Sequence, residues 1–147
     1  MRDLPAAARA LGLELHILRA NSERDLDAAF ATLPQLRAGA LVIGIDAFFA
    51  SRSAHLATLT VRHGIPAIFQ QREFAVAGGL VSYGGSFAEA YRLAGIYTGR
   101  VLKGEKPADL PVIQPTTFQL VINLQTARTL GVEVPATLLA IADEVIE

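Results

Sequence analysis

Cysteine is absent from the 147 residues, which excludes disulfides, thiolate chemistry and any cysteine-ligated metal site, and leaves the redox compartment open. An excess of one charge is also missing. Lys and Arg number 13 against 14 Asp and Glu, a net charge of -1, and no basic stretch offers a footprint for nucleic acid. No uninterrupted apolar run approaches the ~18 residues that cross a bilayer. The longest, 38–50, is broken by Asp46 and reads as a buried strand with a loop, so no membrane insertion is expected. Met1-Arg2-Asp3-Leu4-Pro5 has no apolar export core, and the chain is expected to carry no signal peptide of its own. His16, His55 and His63 are scattered, which gives a metal site no support, and no cofactor is expected. What is plentiful is apolar surface. Hydrophobic residues make up 52% and the mean hydropathy is +0.38, high for one soluble domain of this length. The excess is expected to lie against a partner.

Along the chain, helices alternate with short apolar runs. Asp3 is placed to cap a helix to Leu11, and Leu13–Leu18 alternates like a strand. Ser22 and Asp25 open a helix through Leu33. Ala40–Ile45 reads as a strand buried on both faces and Asp46–Ala50 as a loop. Ser51 is placed to cap a helix ending at His63-Gly64, before a strand at Ile65–Phe69. Gln70–Ala77 is loop or one helical turn, Leu80–Tyr83 a short strand, and 87–103 a helix. An extended, proline-rich connection, Gly104–Pro115, leads to a strand at Phe118–Ile122. Asn123 caps a helix to Leu130, and Gly131–Glu147 is irregular with one short helix near Leu138. Leu11-Gly12-Leu13, His63-Gly64-Ile65 and Leu130-Gly131-Val132 repeat a helix–glycine–strand pattern, with glycine at the helix stop. The implied class is α/β, a mostly parallel sheet of about five strands with helices on both faces, in a single lobe.

The stretch from Arg72 to Arg92 organises the chain. Glycine pairs bracket the short strand, and Ser86 and Glu89 have capping-box spacing at the helix start that follows. Gly78-Gly79-Leu80-Val81-Ser82-Tyr83-Gly84 resembles the G-G-L-x-S-Y-G signature of the periplasmic substrate-binding components of ABC transporters, in the family allied to tryptophan and tyrosine binders. Tyr91-Arg92, Leu102-Lys103-Gly104, Pro107 to Val112, Gln114-Pro115-Thr116, Val121 to Leu124 and Ala142 to Glu147 resemble the rest of that family's C-terminal half. Members are roughly twice this length. The resemblance implies one lobe of a type I periplasmic binding protein, with 87–103 crossing to an N-terminal lobe not present here. It also implies an exported or periplasmic protein that captures a small solute, such as an aromatic amino acid, for ABC permease subunits, without catalysis. Without the other lobe, self-association is expected.

Loops at the carboxyl ends of parallel strands usually hold ligands. Here they contain Asp46 and Phe48, then Gln71 and Glu73, then Ser82, Tyr83 and Gly84. Carboxylates suit an ammonium, backbone N–H groups suit a carboxylate, and an aromatic face suits a ring, a set that fits a small zwitterion. The plainer reading is that Asp46 caps a turn and Tyr83 fills the core. Ser82 lacks the G-x-S-x-G spacing and a histidine partner, and the glycines miss G-x-G-x-x-G. The alternatives are a stand-alone small α/β enzyme or an effector-sensing module of similar architecture.

Overall fold

Three helices stop where the sequence places glycine. Gly12, Gly64 and Gly131 take φ of 66°, 64° and 65°, the left-handed conformation that turns a chain out of a helix without a Cβ clash. The computed structural model describes residues 4–114 and 117–147, so the expected Asp3 cap and the Pro115-Thr116 part of the motif lie outside it. Two compact units emerge, residues 1–41 and 42–147.

The first unit contains α1 (Leu4–Ala10) and α2 (Glu23–Thr32). Ser22 caps α2, its hydroxyl accepting from the Asp25 N–H at 3.2 Å, while the Asp25 carboxylate accepts from the Asn21 N–H at 3.1 Å. The bond from the Asn21 backbone, helped by the Ser22 side chain, holds the Asp25 carboxyl below its usual range. Leu13–Leu18, expected as a strand, joins no ladder among the described residues and leaves Leu13, Leu15 and Ile17 exposed. Alternation sets only which way side chains point. A strand also needs a neighbour for its N–H and C=O groups, and no described strand supplies one.

The second unit carries the sheet, whose spatial order is β1-β2-β3-β4-β5. β1 (Leu41–Val42) starts at the boundary and is followed by α3 (Ala47–Ala50), α4 (Ser53–Arg62), β2 (Ala67–Phe69), α5 (Arg72–Val76), β3 (Val81–Gly85) and α6 (Phe87–Leu102). A 3-10 turn at Pro107–Asp109 leads to β4 (Phe118–Asn123), α7 (Leu124–Leu130), α8 (Ala136–Ala140) and β5 (Glu144–Ile146). β2 runs parallel to β3, and β4 parallel to β5. The junction of β3 with β4 is antiparallel, with Val81 opposite Ile122 and Gly85 opposite Phe118. The chain is thus α/β with a mostly parallel five-stranded sheet, as its pattern predicts.

Local departures from the sequence reading have physical causes. The run 40–45 is not buried on both faces: Val42 is 71% and Ile45 79% exposed. β1 is an edge strand, and Ile43 alone is buried there, its N–H donating to the Ile68 carbonyl at 3.0 Å. Residues 47–50 form a helical turn rather than a loop, because the Asp46 carboxylate accepts from the Phe48 N–H at 2.7 Å. Ser51 does not cap α4; its hydroxyl donates to the Phe48 carbonyl at 2.8 Å and closes α3. Ser86 does cap α6, accepting from the Glu89 N–H at 3.3 Å. The return half of the box is replaced, since the Glu89 carboxylate takes two hydrogen bonds from the Arg92 guanidinium. A charged donor one turn along outcompetes a neutral backbone N–H. β5 arises inside the tail expected to be irregular. At three residues it is too short to show a period, and its pairing with β4 defines it.

The core of this unit centres on Phe69 and Phe74, packed edge to face at 5.9 Å, with Leu56, Val121 and Ile122 also buried. A Cβ on Gly79 would come within 2.3 Å of the Phe74 ring, so glycine there admits the aromatic. Buried Asn123 links two helices. Its Oδ1 accepts from the Thr126 N–H at 2.9 Å, and its Nδ2 donates to the Ala75 carbonyl at 2.9 Å. The Thr126 hydroxyl adds a bond to the Gly78 carbonyl at 2.8 Å. Together these fasten α7 to α5 and to the glycine turn that launches β3.

Candidate functional site

The carboxyl ends of β2 and β3 and the amino end of α6 surround a depression of about 110 Å³. Gln70, Arg72 and Glu73 line one side, Ser82, Gly84 and Gly85 another, and Ser86, Phe87 and Ala88 the helix start, with Gln119 from β4. Parallel β2 and β3 bring the first two groups together, since Phe69 pairs with Ser82. Gly84 is required by this close pairing. A Cβ at that position would stand 2.1 Å from the Gln70 carbonyl oxygen, a backbone atom that cannot swing aside.

Three of the seven sequence-predicted positions, Glu73, Ser82 and Gly84, meet in this depression. Ser82 is only 1% exposed. Gln71 stands between the lining residues Gln70 and Arg72, but its Oε1 accepts from the Ser53 hydroxyl at 2.7 Å and ties α5 to α4. Tyr83 points to the opposite face of β3, as strand alternation requires. It is 53% exposed and stacks on Phe118 with ring centroids 5.6 Å apart. Asp46 and Phe48 belong to α3, where Asp46 is the cap and the Phe48 ring lies 5.6 Å from Phe49 and 5.9 Å from the Arg52 guanidinium carbon. Neither lines the depression.

The structure adds Gln70, Arg72, Gly85, Ser86, Phe87, Ala88 and Gln119. Gln70 follows β2 and was legible as a strand-end loop, and the α6 start adjoins the motif; Gln119 sits on the antiparallel strand, which no local pattern connects to the site. Arg72 faces a partner 72 positions away: Glu144 accepts from its Nε and Nη2, both at 2.7 Å. The Arg72 bonds hold the Glu144 carboxyl below its ordinary range and raise the Arg72 guanidinium further. Among the described residues no group of three His, Asp or Glu is placed to hold a metal ion, and no helix is long and apolar enough to cross a membrane. The depression therefore offers hydrogen-bond donors, one carboxylate and open space, suited to holding a small polar molecule.

Comparison with known proteins agrees with this architecture. A conserved domain protein from Vibrio cholerae O1 biovar El Tor is similar with a TM-score of 0.88 and 23% identity, over 99% of this chain and 49% of that one. An ABC domain from Streptococcus pneumonia, solved in complex with L-Trp, matches with a TM-score of 0.85 and 27% identity, over 99% of this chain and 50% of that one. The ligand-free, open structure of a substrate binding protein with adhesive properties from Clostridium difficile gives a TM-score of 0.66 and 19% identity, over 99% and 48%. The chain thus spans about half the length of the solved structures it matches. No curated protein matches it. The family model for ABC transporter substrate binding proteins covers residues 1–146, and the chain belongs to that family.

Proposed function

We propose that this chain is one lobe of the substrate-binding component of an ABC importer, corresponding to the C-terminal half of a two-lobed protein. The family match over residues 1–146 carries this reading. It captures a small solute, an aromatic amino acid by analogy with the L-Trp complex of the similar Streptococcus structure, and delivers it to permease subunits outside the cytoplasm. No bond is made or broken; two lobes close on the ligand. Glu73, Ser82 and Gly84 form this lobe's wall. Asp46, Phe48, Gln71 and Tyr83, on neighbouring loops, meet solute only through closure or rearrangement. In this arrangement α6 crosses to the other lobe, which accounts for a 16-residue apolar helix with no buried residue.

The test is an NMR titration of this chain with the individual amino acids. One wall supplies part of the contacts of a closed cleft, so a micromolar site worth about 8 kcal/mol falls to about 4 kcal/mol, the millimolar range. Aromatic amino acids are expected to move the amides of Gln70, Glu73, Ser82 and Gly84 at such concentrations. A spectrum unchanged by every amino acid would overturn the assignment, and a micromolar isotherm would overturn the one-lobe reading.

A further inference from the structure

We propose that Glu144, which does not line the depression, sets its charge preference by holding Arg72, so that Glu73 presents the uncompensated charge. Glu144 is a positioning residue here, and the Arg72 guanidinium is the group it positions. The inference rests on the solute-capture reading and adds a determinant of selectivity to it.

The sheet carries Glu144 to this place. Phe69 pairs with Ser82, Ser82 with Val121 and Val121 with Glu144, one row across β2, β3, β4 and β5. Directly paired residues point to the same face of a sheet. Glu144 therefore shares the face of buried Ser82, two strands or about 9.6 Å away. Arg72, at the start of α5, reaches it: Nε and Nη2 donate to the two Glu144 carboxylate oxygens, both at 2.7 Å. A paired fork of this kind fixes the orientation of the guanidinium as well as its position.

Among the described residues that line the depression, Arg72 supplies the cation and Glu73 the carboxylate. The Glu144 bonds, with the Glu73 charge behind them, raise the Arg72 guanidinium above its ordinary value. With Glu144 in place the cation is neutralised from outside, and the net negative charge belongs to Glu73. The depression then favours an ammonium or a zwitterion over an anion. Without Glu144, the guanidinium stands beside Glu73 and open to the depression. It screens the carboxylate from an ammonium and offers its fork to an anion. A residue 72 positions along the chain thus decides which sign of charge the same wall receives.

The test is an amide NMR titration of the intact chain with tryptamine, indole-3-propionate and L-Trp at constant ionic strength. The three share a ring and differ in charge. Wild type should favour tryptamine over indole-3-propionate at the amides of Gln70 and Glu73. The Arg72–Glu144 pair is partly open to water, at 48% and 37% by side chain, which limits each change to about fivefold. In Glu144→Ala, tryptamine should weaken and indole-3-propionate tighten by that factor. Glu144→Asp keeps the charge and should restore the wild-type order. In an Arg72→Gln background, Glu144→Ala should change either ligand by less than about twofold, because the guanidinium it acts through is gone. If Glu144→Ala fails to fold, Glu144→Gln, which keeps one acceptor, should shift the two ligands in the same opposite directions. Equal weakening of both ligands would mean that the bond only fastens α5 to β5, and overturns the proposal. So does a full effect of Glu144→Ala without Arg72, or a wild type that favours indole-3-propionate. In those cases, shifts of Gln70 and Glu73 by L-Trp leave solute capture standing. If none of the three ligands moves any amide of the depression in any variant, both readings fall.

Discussion

Asn123 is where one side chain bears most on the shape of the site, and its removal can be costed. Its Oδ1 takes the Thr126 N–H, a first-turn donor of α7 with no intrahelical partner, and Thr126 is buried. Deleting the amide leaves that donor unsatisfied, at about 1–3 kcal/mol. Its Nδ2 bonds the Ala75 carbonyl, but that oxygen keeps the Gly78 N–H at 3.2 Å. Losing this second bond therefore costs about 1 kcal/mol rather than a full desolvation penalty. Asn123→Ala should destabilise the chain by about 2–4 kcal/mol. Asn123→Ser restores a capping oxygen without reaching Ala75 and should cost only about 1–2 kcal/mol. Urea denaturation followed by circular dichroism reads both differences, with an unchanged slope as the sign that the same surface unfolds. Because Asn123 anchors α5, which carries Glu73, Asn123→Ala should also speed hydrogen exchange in α5 before the rest of the sheet. Equal midpoints for the two variants, or a loss below about 1 kcal/mol for alanine, would refute this division of the energy.

Gly84→Ala places a methyl against the Gln70 carbonyl and should cost about 1–3 kcal/mol while moving the Gln70 and Ser82 amides; Gly44→Ala, with nothing within 4 Å of its added Cβ, should change stability by less than about 0.5 kcal/mol. Asp25, Glu89 and Glu144 all have carboxyl groups held below their usual range. Their contributions are therefore present above the unfolded carboxylate value of about 4 and are lost as pH falls through the lower folded values; the urea midpoint should be flat near neutrality and drop in acid, with a shallower drop in Glu144→Gln. Tyr91 and Leu102, 75% and 82% exposed, lie three turns apart on one face of α6. Sedimentation should show the chain self-associating as concentration rises, with Tyr91→Lys combined with Leu102→Lys shifted toward monomer, and a wild-type chain monomeric throughout would contradict the exposed-helix reading.

Sequence alone determined what depends on neighbours along the chain. Left-handed glycines stop α1, α4 and α7 at positions 12, 64 and 131, Ser86 and Asn123 cap their helices, and the motif at 78–84 points to the fold and family, because these features rest on local conformation and residue spacing. Tertiary structure decided what depends on distant partners. Leu13–Leu18 has the alternation of a strand but no described strand beside it, while β5, with almost no pattern, becomes one by pairing with β4. The site divided for the same reason. Strand-end position made Asp46, Gln71 and Tyr83 candidates alongside Glu73, Ser82 and Gly84. Which of them face one depression was fixed by hydrogen bonds to Phe48 and Ser53, by the stacking on Phe118, and by which face of β3 meets α5. Arg72 was bound to Glu144 across 72 positions of chain, a separation at which spacing carries no information and only the packed sheet brings two charges together.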